Sequence, residues 1–187
     1  MLMKGKSTSQ VINETLKDLT MLSRPNCKVM TKKNDILPFE DILSLEFLAD
    51  KNQCGLFALG SHTKKRPHNL TLGRLYDGHI LDIYEFGIES HKSIESFKNA
   101  AKGIGTKPIM LFVGDQWQND ALYTNIQNML LDMFRGDKAE KISMRGIDHA
   151  ISCTCIDGKI HIRGYYLKFA KTEGKVHTLI HLYTRTK

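Results

Sequence analysis

The sequence has few cysteines and no long apolar run, and each absence argues against a class of protein. Its four cysteines (Cys27, Cys54, Cys153 and Cys155) are too sparse in 187 residues for a dense disulfide framework. The first ten residues, MLMKGKSTSQ, lack the apolar core of a signal peptide. The longest aliphatic and aromatic run, IMLFV at 109–113, is far shorter than the roughly 20 residues that span a bilayer. We therefore expect free thiols in a reducing compartment and no membrane partner.

Acidic residues are in deficit as well. The chain has 20 Asp and Glu against 27 Lys and Arg, which gives a net charge of +7. A basic balance favours a polyanionic partner such as nucleic acid. The composition is otherwise that of a globular protein, and the length is sufficient to bury a core without metal or disulfides.

The sequence also lacks a complete phosphate-binding loop. Gly55 and Gly60 have the spacing of a P-loop, but Ser61 stands where that motif requires a lysine. The turn GIGTKP at 103–108 resembles a phosphate cradle, yet Pro108 removes an amide and a strand is predicted after it instead of a helix. We interpret this segment as a turn between a helix and a strand.

The sequence also contains no convincing motif for a catalytic site or a metal site. Asp148 lies next to His149, but no partnered nucleophile or second carboxylate forms a recognisable motif with them. Cys153 and Cys155 lack the paired C-x-x-C spacing of a zinc site, and across the predicted hairpin both face isoleucines. We predict no enzyme, no cofactor and no metal site.

Apolar periodicity predicts four helices, which are expected over 7–23, 37–52, 93–103 and 119–136. In the first, Ser7 and Gln10 can form a capping box, and in the last Asn119 is the predicted N-cap. Residues 23–34 between the first two helices are expected to form a turn-rich, basic connector.

Strands are predicted over 54–60, 79–88 and 108–114, and the last of these is expected to be central because both of its faces are apolar. From residue 147 the period is two, with hairpin turns at Asp157–Gly158 and at 171–175 and a β-bulge at Gly164. The pattern favours an α/β or α+β fold that ends in an antiparallel meander.

One segment concentrates the positive charge. GSHTKKRPHNLTLGRLYD, residues 60–77, contains Lys64, Lys65, Arg66 and Arg74 but only one acid, and we predict it to be a cationic turn between two strands. Cations held together by a rigid turn suit phosphate oxygens. A solvated loop explains the same residues equally well.

A second polar surface is predicted on the C-terminal hairpin. Its register puts Arg163 opposite Ser152, on one face with Thr154 and His161. That face is either solvated or a binding surface.

The stretch LPFEDILSLEFLADKNQCGLFALGSHTKKRPHNLTLGRLYDGHILDIYEFGI, followed by GTKPIMLFVGD and NMLLDMFRG, resembles the Brix-domain family of ribosome production factors. The resemblance runs from about residue 4 to residue 183, and its most specific block is GSHTKKRPHNL. It implies a fold of two similar lobes, each a small mixed sheet with packed helices.

The resemblance also implies a function. Family members of this kind are non-enzymatic, nucleolar assembly factors of the large ribosomal subunit, without metal or nucleotide. They form a heterodimer with the regulator of ribosome synthesis and recruit 5S rRNA with its two ribosomal proteins into the precursor particle, which supports rRNA maturation. The alternative is a protein-interaction scaffold whose partner supplies most RNA contacts.

The resemblance and the charges together nominate a set of RNA contacts. We expect 5S rRNA or large-subunit precursor rRNA to contact His62, Lys64, Lys65, Arg66, Asn69, Arg74, Lys107 and Arg163. We also expect an N-terminal helix and connector over 1–34, which packs on or enters a Brix domain over 35–187. Family members are expected to carry a basic arm before this stretch and an extension after it.

Overall fold

The computed structural model describes residues 1–97, 103, 105–136, 142, 146–172 and 175–181, and side-chain burial is described as far as Leu167. Contacts divide the chain into two units, Met1–Ser96 and Phe97–Lys187. The elements of the first unit are β1 (Leu2–Gly5), α1 (Gln10–Ser23), β2 (Val29–Asn34), α2 (Ile42–Asn52), β3 (Leu56–Ser61), β4 (Asn69–Tyr76), β5 (His79–Gly87) and a 3-10 turn (Ile94–Ser96). Those of the second are β6 (Ile109–Val113), α3 (Gln116–Asn119), α4 (Ala121–Phe134), β7 (His149–Ile156), β8 (Lys159–Thr172) and β9 (Lys175–His181).

The first unit is built on a five-stranded mixed sheet with the order β2-β1-β3-β4-β5. β1 is parallel to β2 and β3, whereas β3, β4 and β5 are antiparallel. Because side chains alternate along a strand, Gly60 and Leu59 of β3 point to opposite faces. Gly60 lies against Ile12 and Leu16 of α1, whereas Leu59 joins a core cluster with Leu45 of α2. The two helices therefore cover opposite faces of the sheet.

Three strands of this sheet, β1, β2 and β4, were not predicted from the sequence, and one helix cap differs from the prediction. β2 lies within the predicted connector, and its composition VMTKKN suits an edge strand, where most side chains stay in water. β1 has only four residues. The N-cap of α1 is Ser9, whose Oγ accepts from the Ile12 amide at 3.3 Å, so the predicted capping box at Ser7 is wrong.

The cationic segment 60–77 is also not a turn throughout. Its second half is β4, an interior strand of the sheet, and only residues 62–68 connect β3 to β4. β4 then turns into β5 through Asp77 and Gly78, whose φ values of 51° and 79° are those of a two-residue hairpin.

The second unit contains a four-stranded sheet with the order β6-β7-β8-β9, in which β6 is parallel to β7 and the other pairs are antiparallel. β6 is an edge strand, so its predicted central position is wrong. Trp117 of α3 packs against Phe112 of β6, with ring centroids 5.1 Å apart. The N-cap of α4 is Asp120, one residue after the predicted Asn119, and it accepts from the Leu122 amide at 2.8 Å.

The C-terminal meander has the predicted register at its first hairpin. Asp157 and Gly158 form the turn, and Cys155 pairs with Ile160. Pairing continues without a shift through Gly164, so the predicted bulge there is wrong. Thr172 pairs with Lys175, as the second predicted hairpin requires, and residues 173 and 174 of its turn lie outside the described residues.

Both units combine a mixed sheet with helices, which confirms the predicted α/β (α+β) class of two lobes ending in an antiparallel meander. Part of the helix predicted over 93–103 lies outside the described residues, and the described part contains only the 3-10 turn. The predicted division of the domain at residue 34 stays a prediction. Within the described ranges, no helix is long and apolar enough to cross a bilayer.

Candidate nucleic-acid interface

Residues His62–His68, which we call the basic loop, are tied to the rest of the first unit at both ends. The His62 amide donates to the Ser7 carbonyl at 2.9 Å, and Nδ1 of His68 lies 2.8 Å from Oγ of Ser9. Because that same Oγ accepts from the Ile12 amide as the N-cap of α1, its own proton is available for His68. The loop is thus fixed to the start of α1.

The two histidines close the base of the basic loop. The His68 amide donates to Nδ1 of His62 at 3.1 Å, and the two ring centroids are 5.0 Å apart. His68 has a φ of 48°, in the left-handed region, and its carbonyl accepts from the Ile88 amide at 2.9 Å. His62, a predicted RNA contact, therefore has one ring nitrogen committed to the loop's own backbone.

The tip of the loop presents its two lysines to solvent. The Thr63 amide donates to the Arg66 carbonyl at 3.1 Å, and the Arg66 amide donates to Oγ1 of Thr63 at 3.0 Å. Lys64 and Lys65 occupy the two positions between them, and both are exposed. Across the described part of the chain, neither lysine has an ion-pair or hydrogen-bond partner. The turn thus holds two adjacent, uncompensated charges.

Arg66 is compensated by an acid on a neighbouring strand. Its Nη1 donates to Oε1 of Glu85 on β5 at 2.6 Å and also contacts Oε2, while 60% of the arginine side chain stays exposed. Asn69, which is buried, donates from Nδ2 to the same Oε1 at 2.7 Å. Glu85 therefore joins the loop to β4 and β5 and lowers the positive charge that the loop presents.

Arg74 lies on β4, outside the basic loop, directly opposite Asp82 of β5. Its Nε donates to Oδ1 of Asp82 at 2.9 Å, and Nη2 contacts the other oxygen, so the pair is bidentate. The side chains are only 16% and 18% exposed. Most of the arginine is thereby withdrawn from solvent.

Lys107 lies in the second unit, in the turn 103–108 that leads into β6. An internal carboxylate occupies the start of this turn, because Oδ2 of Asp148 accepts from the Gly103 amide at 2.7 Å. Burial raises the pKa of Asp148, but hydrogen bonds from His149, the Gly103 amide and Thr106 outweigh burial and bring its pKa below the usual 3.8. The Gly103 amide is therefore already bound by an internal carboxylate and is not available to a phosphate.

Arg163 lies on β8 opposite Ser152, as the sequence predicts. Leu111 of β6 pairs with the same Ser152, so β7 separates Arg163 from the strand that follows Lys107. Six of the eight predicted RNA contacts therefore lie in the first unit, and Lys107 and Arg163 lie in the second.

The thiols of the C-terminal hairpin are core residues. Cys153 and Cys155 are buried, and burial raises the pKa of the Cys153 thiol to about 12. Among the described residues, no group of three or more His, Cys, Asp or Glu side chains is arranged to hold a metal ion.

Sequence reasoning missed the residues that position the loop, chiefly Ser9 and Glu85. Neither is basic, and both are distant in sequence from the loop residues that they contact. Only the register of β4 with β5 could have indicated Glu85, because it places this residue opposite Thr71, two positions from Asn69.

Comparison with known proteins identifies the class. Residues 5–182 match the Brix domain, and the chain therefore belongs to the Brix-domain family. The crystal structure of a probable ribosomal biogenesis protein from Aeropyrum pernix K1 has a similar fold, with a TM-score of 0.56 at 11% identity over 88% of this chain and 87% of that one.

Particular members of the family are similar in sequence as well. The chain is 41% identical to a Homo sapiens protein named ribosome production factor 2 homolog, over 92% of this chain and 56% of that protein. It is 43% identical to the protein of the same name from Oryza sativa subsp. japonica, over 83% of this chain and 52% of the relative. The chain thus spans about half the length of these curated relatives.

Proposed function

We propose that this chain is a non-enzymatic assembly factor of the large ribosomal subunit that binds rRNA through its basic loop. Its membership of the Brix-domain family and its similarity to proteins named ribosome production factor 2 homolog support a role in ribosome biogenesis. Under this proposal the chain works in the nucleolus.

The observation that carries the RNA-binding part is the pair Lys64 and Lys65. They lie on a turn closed by Thr63 and Arg66, and the turn is anchored by histidines, so the two charges are positioned before a ligand arrives. Preorganised ammonium groups suit phosphate oxygens, which carry most of the affinity of proteins for RNA and DNA backbones. Arg66 contributes less in this proposal because Glu85 already binds it.

The proposal extends to partners through the family resemblance. The chain forms a heterodimer with the regulator of ribosome synthesis, and together they recruit 5S rRNA with its two ribosomal proteins into the precursor particle. Both Lys107 and Arg163 stay proposed RNA contacts, and within the described residues neither has a partner of its own.

A second candidate function, a protein-interaction scaffold, is favoured by the exposed apolar side chains of α2 and the turn before it. Leu43 and Phe47 are 79% and 60% exposed and lie one helical turn apart, and Leu37 and Phe39 are exposed nearby. An apolar surface of this kind is typical of a protein interface. In this function the partner would supply most RNA contacts.

Titration of labelled 5S rRNA with the isolated chain and with the heterodimer separates the two functions. An RNA of equal length and scrambled sequence controls for nonspecific attraction. RNA binding by this chain predicts that the isolated chain already prefers 5S rRNA. If the isolated chain binds both RNAs equally and the preference arises only in the heterodimer, the scaffold function is correct.

A further inference from the structure

A groove of about 760 Å³, which we call the α1 groove, runs between α1 and the edge of the first sheet. Its lining includes Lys4, Asn13, Lys17, Arg24, Val29 and Met30. The helix contributes a stripe of residues three and four positions apart, and β1 and β2 contribute the opposite side. The volume lies in the range of sites for small organic ligands.

Cations outnumber acids in the α1 groove. Lys17 is paired with Glu95 at 2.7 Å, and Glu14 accepts from Gln10 at 2.8 Å. In the described part of the chain, by contrast, Lys4 and Arg24 have no ion-pair partner. Lys33 of β2 lies beside Lys4 in the strand register, so a third cation lies next to the groove. The unsatisfied charges suit an anion.

The groove also offers an exposed apolar side chain and one available amide. Val29 of β2 is 48% exposed and offers an apolar side chain to whatever occupies the groove. The side chain of its neighbour Met30 packs with the α2 core cluster on the other face of the sheet. Oδ1 of Asn13 accepts from Thr8 at 3.4 Å, whereas its Nδ2 has no hydrogen-bond partner among the described residues. A ligand with a flat ring, a carbonyl group and a phosphate matches all three features, and a nucleotide is such a ligand.

The groove begins where the basic loop is anchored. Gln10 at its start follows Ser9, which contacts His68 at 2.8 Å. The first turn of α1 has no acidic residue, so the positive end of the helix dipole adds to the attraction for a phosphate at this junction. One strand of RNA could therefore pass from the lysines of the loop into the groove.

We propose that the α1 groove binds an unpaired nucleotide of an RNA strand whose backbone continues over Lys64 and Lys65. Lys4 and Arg24 bind its phosphates, Nδ2 of Asn13 donates to a base carbonyl, and Val29 contacts the face of the base. The strand is unpaired at this point because a base pair exposes neither its face nor all its edges. This inference rests on the proposed RNA-binding function.

Fluorescence anisotropy with two probes tests the inference on the full chain. The probes are a short oligouridylate and inorganic polyphosphate, which has the charge but no base. A wall variant, Asn13→Ala with Val29→Ser, keeps every cation. A loop variant replaces Lys64 and Lys65 with Gln, and a control replaces Lys51 and Lys159, both exposed elsewhere, with Gln. Thermal melting confirms that each variant is folded.

The wall variant is expected to bind oligouridylate about fivefold more weakly, roughly the effect of one lost hydrogen bond, and to bind polyphosphate as the unmodified chain does. Ultraviolet crosslinking with thiouridine should map to the α1 and β2 peptides.

If the loop variant loses affinity but the wall variant binds oligouridylate normally, the groove inference is overturned and the RNA-binding function stands. If neither variant loses affinity, the RNA-binding function itself fails. Loss of partner association without loss of RNA affinity in the wall variant would also overturn the inference.

Discussion

Nη1 of Arg66 donates to Oε1 of Glu85 at 2.6 Å, although the two residues are 19 positions apart in sequence. Glu85, near the end of β5, is thus a counter-ion for the densest basic run of the chain, residues 64–66. The same oxygen accepts from buried Asn69 at 2.7 Å, so Glu85 controls both the charge of the basic loop and its attachment to the sheet.

Replacement of Glu85 by Gln should release Arg66 for phosphate binding while keeping an acceptor for Asn69. One additional phosphate contact makes the salt dependence of RNA affinity steeper by about 0.7 to 0.9 logarithmic units. Affinity at low salt should therefore rise. Titration of 5S rRNA at several salt concentrations measures the change, and Glu89→Gln, an exposed acid nearby in sequence, is the control. A slope equal to that of the unmodified chain would mean that Arg66 does not reach RNA.

Arg74 and Asp82 form a bidentate pair with little exposure, so we expect Arg74 to act mainly in stability. Arg74→Met should lower the free energy of unfolding by about 2 kcal/mol, because a charged partner stays behind in a partly buried site. The double variant Arg74→Met with Asp82→Leu should recover part of that loss. Urea denaturation measures both. An RNA affinity lowered as much by Arg74→Met as by loss of the loop lysines would contradict this assignment.

Gly60 fixes the distance between α1 and β3. A Cβ at this position would lie 2.4 Å from Cγ2 of Ile12 and 2.9 Å from Cδ1 of Leu16. Gly60→Ala should therefore destabilise the first unit by about 1–3 kcal/mol through overpacking. Gly87→Ala is the matched control, since no atom lies within 4 Å of its Cβ. Equal melting temperatures for the two variants would show that α1 does not pack this closely against β3.

Cys153 should be almost inert to alkylation in the native protein. The thiolate is the reactive form, and a pKa of about 12 in place of 9.0 reduces its fraction near pH 8 by about three orders of magnitude. Cys27, which is partly exposed, should react first. Iodoacetamide labelling followed by peptide mass mapping compares the two, with a urea-unfolded sample to show that both can react. Rapid labelling of Cys153 in the folded chain would contradict its burial.

The parts of the fold that local sequence determines were predictable. The hairpin at Asp157–Gly158 has its predicted register because a two-residue turn of these residues fixes the pairing of both strands. The α4 helix follows from an apolar stripe, of which Ile126, Met129 and Leu130 are buried. The cationic character of the basic loop could also be predicted, because Lys64 and Lys65 are adjacent in the sequence.

The rest depends on contacts that no local pattern contains. The pairing between β4 and β5 shifts between Arg74 and Leu75, and a hairpin without that shift would place Arg74 opposite Leu81 and not Asp82. β2 is an edge strand that needs few apolar residues, so its sequence resembles a connector. The cations could be found from sequence, but the acids that neutralise Arg66 and Arg74 could not.

The salt dependence of 5S rRNA affinity tests the role of the basic loop most directly. Lys64 and Lys65 each neutralise a phosphate in our account, so the variant with both replaced by Gln should have a slope shallower by about 1.5 logarithmic units. The variant with Lys51 and Lys159 replaced by Gln loses the same charge and should keep the original slope. If the loop variant and this control have equal slopes, the basic loop is not the RNA contact.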